Sequence, residues 1–122
     1  MPRYLIVDAS AIVRKVAKRI LTSLQDKVIG AESGSAGLGA LGTEAPDIVL
    51  VDAELPDIDV TDFIRSIREM RDVTQPIIIV MMTEMNLAQM TKAKRAGADD
   101  FMLKPFDRLQ LTRSLLEFRT AA

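Results

Sequence analysis

The chain contains 122 residues, of which 48% are hydrophobic and 27% charged, with a formal net charge of −1. This length suits one domain with a substantial core, so residues 1–122 are expected to form a single domain. Because the chain has no cysteine and no histidine, disulfides, zinc–thiolate sites and Ser–His–Asp hydrolases are excluded. The charge balance gives no footprint for direct nucleic-acid binding, and no apolar run approaches the ~18 residues of a membrane helix. We therefore expect a soluble, cytoplasmic protein.

The chain opens with a predicted strand followed by a predicted helix. Residues 4–7 are apolar on both faces and the run stops at Asp8, as in a buried strand of a parallel sheet. Ser10 is expected to cap the helix that follows. The buried face of this helix is predicted from apolar residues at helical spacing, which are Val13, Val16, Ala17, Ile20, Leu21 and Leu24.

The second strand and second helix carry a misleading motif. Residues 28–31 predict a strand and residues 35–41 a helix, in which Gly37 and Gly39 each cost about 1 kcal/mol relative to alanine. We expect this helix to be the least stable element. Together with Gly42 the two glycines match G-x-G-x-x-G, but a dinucleotide fingerprint must follow the first strand and open a helix. We interpret them as small residues in a weak helix.

The remaining chain repeats the same alternation of apolar runs and amphipathic stretches. Strands are predicted at 48–51, 77–80 and 101–103, and helices at 62–70, 87–96 and 108–118. Gly97 is expected to end the fourth helix. Five strand–helix units with continuously apolar strands predict an α/β fold in which a five-stranded parallel sheet is doubly wound with five helices.

Three polar residues stand at the carboxyl ends of predicted strands. Asp8 follows the first strand, Asp52 the third and Lys104 the fifth, and ligands of doubly wound sheets bind beyond these ends. Two neighbouring carboxylates repel each other, which a hard cation such as Mg²⁺ relieves. A lysine beside them suits a phosphoryl oxygen. The set predicts a site that transfers a phosphoryl group onto an aspartate.

Four segments together resemble the receiver domain (CheY-like) of two-component response regulators. They are LIVD at 5–8, VLVD at 49–52 followed by Leu55-Pro56, AGADDF at 96–101 and KPF at 104–106. The resemblance covers essentially the whole chain and depends on the combined order and spacing of the segments. It implies a flavodoxin-like sheet with strand order 2-1-3-4-5 and a cis peptide bond between Lys104 and Pro105.

The resemblance implies a role in a phosphorelay. Asp52 is then the phosphoacceptor, receiving phosphate from a histidine on a partner histidine kinase or phosphotransfer protein, and Lys104 contacts the phosphoryl group. Asp8, Asp52 and the backbone carbonyl of Glu54 are the expected Mg²⁺ ligands. Phe101 occupies the aromatic switch position or is a plain core residue. The protein is not expected to be an enzyme, because it would signal to a downstream protein target by contact.

Three positions depart from the family pattern. Ala9 stands where the family has a second acidic residue that binds the metal, so Mg²⁺ binding is expected to be weak unless the Glu54 side chain turns inward. Met81 replaces a switch serine or threonine whose hydroxyl contacts the phosphoryl group, and Thr83 is the nearest alternative hydroxyl. Val60 replaces a glycine, and because a β-branched residue disfavours positive φ, the loop before the third helix is expected to take another path.

These departures leave three hypotheses open. Retention of both aspartates and the lysine favours a phosphorylated receiver with altered switching, which we prefer. Ala9 and Met81 favour a degenerate (pseudo-) receiver that acts as a phosphorylation-independent interaction module. A flavodoxin-like or dinucleotide-binding oxidoreductase would need a phosphate cradle after the first strand, where Ala9-Ser10-Ala11 is a poor one. The kinase, the output partner, the oligomeric state and whether the chain is a stand-alone receiver or a piece of a longer protein stay open.

Overall fold

The computed structural model of the chain describes residues 2–121, with side chains described for residues 2–118. Strands and helices alternate in the order β1 (Arg3–Val7), α1 (Ala11–Thr22), β2 (Lys27–Ala31), α2 (Gly34–Glu44), β3 (Ile48–Asp52), α3 (Val60–Glu69), β4 (Ile77–Met82), α4 (Leu87–Ala96), β5 (Asp100–Leu103) and α5 (Arg108–Ala121). The five strands form one parallel sheet in the order β2-β1-β3-β4-β5, which confirms the predicted doubly wound fold. Within residues 2–121, no helix combines the length and apolar character that crossing a membrane requires.

The register of the sheet brings the carboxyl ends of its strands to one edge. Val7 of β1 pairs with Val51 of β3, and Asp52 pairs with Met81 of β4. Farther along, β4 and β5 end level with each other, because Met82 pairs with Leu103. Side chains that follow β1, β3 and β5 therefore share this carboxyl edge although they are distant in sequence.

Both faces of the central strands are buried, which explains the continuous apolar runs at 4–7, 48–51 and 77–82. On one face, alternate strand residues such as Leu5, Val49 and Val80 pack with residues of α2, α3 and α4. On the other face, the intervening residues, such as Ile6 and Leu50, pack with residues of α1 and α5. Burying each aliphatic side chain contributes about 1.5–3 kcal/mol, so this two-sided core is the main source of stability.

The first helix begins where the sequence predicted, but it buries a narrower face. The hydroxyl of Ser10 accepts a hydrogen bond from the backbone N–H of Val13 at 3.3 Å. Only Ala17, Ile20 and Leu21 are buried in α1, and Val16 is 38% exposed. The prediction that Val16 belongs to the core is therefore wrong. Helical spacing identified the correct side of the helix but not the length over which the helix rests on the sheet.

The second helix is longer than predicted and makes use of one of its glycines. It extends over Gly34–Glu44 rather than 35–41, and the G-x-G-x-x-G match lies inside it, as interpreted. A Cβ atom on Gly37 would lie 2.9 Å from Cγ2 of Val7 and 3.1 Å from Cε1 of Phe63, whereas a Cβ on Gly39 would have no neighbour within 4 Å. Gly37 thus allows α2 to lie close against the sheet, and Gly39 has no such role.

The third helix starts two residues before its predicted beginning. Val60 is buried as the first residue of α3, and the carboxylate of Asp59 accepts a hydrogen bond from the N–H of Thr61 at 2.8 Å. Among the described residues other than glycine, only Gln25 and Ala45 have positive φ. Val60 therefore begins the helix in ordinary backbone geometry, and the predicted start at residue 62 is corrected.

The guanidinium group of Arg68 ties together the amino ends of β4 and β5. Its Nη1 donates to the carbonyl of Pro76 at 2.8 Å, and Nε and Nη2 donate to the carbonyl of Gly97 at 3.0 and 2.8 Å. Nη2 also pairs with Asp99 at 2.9 Å, and Asp99 accepts from the N–H of Ile78. One side chain of α3 therefore fixes the edge of the sheet opposite the carboxyl edge.

The two glycines of α2 give opposite expectations for substitution by alanine. Gly39→Ala should raise the free energy of unfolding by up to about 1 kcal/mol, because alanine favours the helix and its Cβ points into open space. Gly37→Ala should lower it, because the new Cβ meets Val7 and Phe63 in a close-packed core. Denaturant unfolding of both variants checks this, and a stabilising Gly37→Ala would contradict the packing role.

Candidate functional site

The ammonium group of Lys104 lies between two carboxylates at the carboxyl edge of the sheet. Its Nζ donates to Oδ2 of Asp8 at 2.9 Å and to Oδ1 of Asp52 at 3.0 Å. The side chains of Lys104, Asp8 and Asp52 are 13%, 1% and 15% exposed. The structure therefore brings together the three residues that the sequence placed at the ends of β1, β3 and β5. We call them the acidic–lysine trio.

The backbone around Asp8 holds its carboxylate in place. Oδ1 of Asp8 accepts from the N–H of Ser10 at 2.9 Å while Oδ2 accepts from Lys104. The guanidinium of Arg14 donates to the backbone carbonyl of Asp8 at 2.6 Å. A carboxylate this deeply buried needs such partners, because burying an unpaired charge costs several kcal/mol or more.

The charge state of Lys104 follows from its two partners. Burial by itself lowers the pKa of Lys104, but the hydrogen bonds and charges of Asp8 and Asp52 outweigh it and raise the pKa above its ordinary value. Lys104 is therefore a permanent cation at neutral pH. The peptide bond between Lys104 and Pro105 is cis, as the resemblance implied.

A cavity of about 180 Å³ opens beside Asp52 and Lys104. Its other lining residues are Ala53, Glu54, Met82, Thr83, Glu84, Asn86 and Gln89. Pockets for drug-sized ligands usually enclose about 300–1,000 Å³, so this cavity suits a smaller group. A larger groove of about 590 Å³ runs along α1, but it contains no residue of the trio. The chemistry therefore points to the smaller cavity, which we call the trio cavity.

The sequence placed the switch position at Met81, whereas the structure brings two later residues to the trio cavity. The side chain of Met81 is fully buried among core residues such as Tyr4 and Leu50. Because β4 continues to Met82, two residues past its predicted end, Met82 and Thr83 line the cavity instead. Thr83 provides the one hydroxyl among the described lining residues.

Phe101 and Glu54, also singled out from the sequence, make no hydrogen bond to the trio. Phe101 is half-buried, packs against the core beneath α4 and also borders a shallow groove with Met90 and Thr91. It combines a core contact with an accessible edge, so its switch role stays a prediction. Glu54 borders the trio cavity and is exposed, so compensation by its side chain stays a prediction.

The donor atoms at the trio are hard oxygens. Among the described residues, no group of three or more acidic side chains is arranged to hold a metal ion. Mg²⁺, however, is commonly held by one or two carboxylates, with water and phosphate oxygens completing its octahedron. The two neighbouring carboxylates of Asp8 and Asp52 therefore suit such an ion, while the role of the Glu54 carbonyl stays a prediction.

Three polar residues of the cavity were not predicted from the sequence: Glu84, Asn86 and Gln89. They belong to the loop after β4 and the first turn of α4. Asn86 caps this helix, since its Oδ1 accepts from the N–H of Gln89 at 3.0 Å. The predicted fourth helix could have pointed to these residues. A helix that follows a parallel strand begins above the carboxyl edge of the sheet, so its first residues lie near the site.

The loop after β3 is fastened to α2 by the side chain of Asp57. Its two carboxylate oxygens accept hydrogen bonds from the N–H groups of Ser35 and Gly34 at 2.9 and 2.8 Å. These two hydrogen bonds hold the pKa of Asp57 below its ordinary value, against the smaller opposing effect of burial. A negative charge at a helix N-terminus is also favoured by the helix dipole. The loop that borders the trio cavity thus has a fixed anchor.

Comparison with known proteins identifies the family. Residues 4–116 match the sequence profile of the response regulator receiver domain. The chain belongs to this family. It is 32% identical over 121 residues to a protein-glutamate methylesterase/protein-glutamine glutaminase from a Nocardioides species, covering 98% of this chain and 33% of that protein. It is 33% identical over 106 residues to the KDP operon transcriptional regulatory protein KdpE of Escherichia coli, covering 87% of this chain and 46% of KdpE.

A solved structure supports the same assignment at the level of the fold. The chemotaxis protein CheY4 of Vibrio cholerae superposes with a TM-score of 0.90 at 23% identity, covering 96% of this chain and 98% of CheY4. The chain spans less than half the length of the two sequence relatives above. It is a receiver domain of two-component response regulators, a family of signalling modules, and the methylesterase match concerns the receiver part of that relative.

The lowered pKa of Asp57 predicts a pH-dependent contribution to stability. A carboxyl group whose pKa is lower in the folded state stabilises the fold above its unfolded pKa of about 3.9, and this contribution is lost as the pH falls through the folded value. Asp57→Asn should therefore lower the Tm at pH 7, with a difference from the native chain that shrinks below about pH 4. Thermal unfolding between pH 7 and pH 3 measures this. Asp72→Asn, at another exposed aspartate, is the control, and a difference independent of pH would contradict the assignment.

Proposed function

We propose that Asp52 of this receiver domain accepts a phosphoryl group from a phosphohistidine of a histidine kinase or phosphotransfer protein. The observation that carries the proposal is the Lys104 ammonium, which lies 3.0 Å from Asp52 and 2.9 Å from Asp8 on the wall of the trio cavity. Phosphoryl transfer depends on positioning and on positive charge near the transferring group, and a lysine held between two carboxylates at a cavity supplies both.

The transfer uses groups that the fold already holds in place. A carboxylate oxygen of Asp52 forms the new bond to phosphorus, while the phosphorus–nitrogen bond of the donor breaks and its electron pair stays on the imidazole. Lys104 is positioned to pair with a phosphoryl oxygen, which stabilises the charge that spreads over these oxygens in the transition state. Its hydrogen bonds to both carboxylates fix its position before the donor arrives.

We propose that Mg²⁺ assists this reaction, held by the carboxylates of Asp8 and Asp52 and the backbone carbonyl of Glu54. A bound Mg²⁺ would neutralise charge on the phosphoryl group during transfer. Both oxygens of Asp8 already accept hydrogen bonds, from Ser10 and Lys104. Because affinity for hard cations rises with the charge of the ligands, and Ala9 adds none, the ion is expected to bind weakly.

The phosphorylated receiver would signal to a downstream protein by direct contact. The surface around α4 and β5 supports this, because it exposes apolar side chains that a partner could cover. Met85 is 49% exposed, Leu87 79% and Leu103 46%, and Met90 and Phe101 border a groove there. Methionine and leucine on such a surface adapt readily to a protein partner.

Phosphorylation of Asp52 predicts a mass adduct that depends on the metal. Incubation with a small phosphodonor and Mg²⁺ should add one phosphoryl group to the native chain, detected by intact-protein mass spectrometry. Asp52→Asn removes the nucleophilic carboxylate and should abolish the adduct. Lys104→Met should reduce its formation by roughly 100-fold or more, because an electrostatic contact to the transferring group is lost.

The opposite outcome would favour the degenerate receiver. If the small donor gives no adduct even at high Mg²⁺, phosphoryl transfer from a cognate phosphorylated kinase to this chain should be measured next. Failure of both reactions would contradict the proposal and leave a phosphorylation-independent interaction module. An adduct that persists in Asp52→Asn would place the acceptor at another residue.

The missing carboxylate at position 9 predicts a gain of metal affinity on substitution. Ala9 is exposed in the loop between β1 and α1, beside Asp8. Ala9→Asp should tighten Mg²⁺ binding by roughly tenfold, because it adds one anionic ligand to the set. Titration calorimetry with Mg²⁺ measures the change, and Ala9→Asn separates added charge from added oxygen. Unchanged affinity in Ala9→Asp would show that position 9 does not reach the ion.

A further inference from the structure

Gln89 lies where two cavities of the receiver meet. It lines the trio cavity of about 180 Å³ beside Asp52. It also lines a groove of about 460 Å³ along the loop after β3, and the two spaces share Ala53 and Glu54 as further walls. The side chain of Gln89 therefore borders both the open groove and the cavity that contains Asp52.

The side-chain amide of Gln89 is free to bind a ligand in this position. Its backbone N–H is fixed by the Asn86 side chain at 3.0 Å, in the first turn of α4. The side chain is half-buried, and its amide makes no hydrogen bond to any of the described residues. Backbone and helix thus hold the residue in place while the amide group remains available.

The other polar groups of the cavity are less suited to hold a water molecule against a phosphoryl group. Lys104 already pairs with the two carboxylates and is assigned to a phosphoryl oxygen, and the amide oxygen of Asn86 caps α4. Glu54 and Glu84 carry negative charge, which repels a phosphoryl group. A neutral amide can accept a hydrogen bond from water and at the same time donate one to a phosphoryl oxygen. Of the two amides that line the cavity, Gln89 is the one whose side-chain oxygen and nitrogen are both without a hydrogen bond to the described residues.

We propose that Gln89 positions the water that hydrolyses the acyl phosphate on Asp52, and so sets the lifetime of the phosphorylated state. This inference rests on the proposed function, since it requires Asp52 to be phosphorylated. Orienting a water for attack on phosphorus lowers the barrier without covalent chemistry by the protein. Gln89 is then a catalytic residue for loss of the signal.

The hydrolysis step balances without an added co-reactant. The oxygen of the water forms a bond to phosphorus as the bond from the Asp52 oxygen to phosphorus breaks. The electron pair of the broken bond stays on Asp52 and restores its carboxylate. Both protons of the water leave on inorganic phosphate, as the dihydrogen anion. The amide of Gln89 only holds the water and one phosphoryl oxygen, and it is unchanged at the end.

Decay of the isolated adduct tests the role of Gln89. The native chain, Gln89→Ala and Gln89→Met are each phosphorylated with a small phosphodonor and freed of the donor. Loss of the adduct is then followed by intact-protein mass at one Mg²⁺ concentration. Both variants should retain the adduct about tenfold longer than the native chain, because one oriented hydrogen-bonding group is removed. Methionine has a side chain of similar length but no amide. Gln89→Met therefore tests the loss of hydrogen bonding without the loss of side-chain volume that Gln89→Ala also causes.

Lys92→Ala is the matched control. Lys92 is an exposed residue of the same helix and does not line the trio cavity, so this variant should lose its adduct at the native rate. Thermal unfolding confirms that each variant is folded. Native decay in Gln89→Met, or in both Gln89 variants, would overturn the inference while leaving phosphorylation of Asp52 intact. No adduct on the native chain would overturn the proposed function, and this inference with it.

Discussion

The contact of one ammonium group with two carboxylates is the constraint around which the carboxyl edge of the sheet is arranged. Asp8, Asp52 and Lys104 follow three different strands, and two negative charges at this separation would repel strongly in a partly buried site without the lysine between them. A buried pair of this kind gains little net stability, because removing the charges from water offsets their attraction. The trio is therefore best understood as a functional arrangement that the core supports, and not as a source of stability.

The sequence predicted those parts of the fold that depend on the repeated alternation of apolar strands and amphipathic helices. Apolar runs located all five strands, and the runs in β1, β3 and β4 are continuous because both faces of these strands are covered. Ser10 as a cap and Gly97 as a helix end were recognisable from residue type alone. The trio was predictable for a similar reason, since a charged residue directly after an apolar strand must lie at the carboxyl edge of a parallel sheet.

What the sequence did not show depends on packing between elements. The run from Ile77 to Met82 is apolar throughout, so composition cannot indicate where β4 ends, and only pairing with Asp52 and Leu103 places Met81 in the core and Met82 at the cavity. Gly37 has the same type as Gly39, and only the distance to Val7 distinguishes a packing residue from a weak point in the helix. Gln89 was missed because a single glutamine in a helix carries no pattern, and its importance comes from the two spaces that it borders.

The Arg68 network fastens one end of the sheet with hydrogen bonds that, among the described residues, its other end does not have. At the amino edge, one guanidinium holds the carbonyls of Pro76 and Gly97 and the carboxylate of Asp99. Backbone amides there, such as that of Ile78, can exchange with solvent deuterium only through large opening events. Amides of the exposed segment 83–88 at the other end lie in the loop and first helical turn beside the cavity, where opening is local. If Asp52 gains a charge, we therefore expect the hydrogen-bonded amino half of the molecule to stay in place while the carboxyl half adjusts.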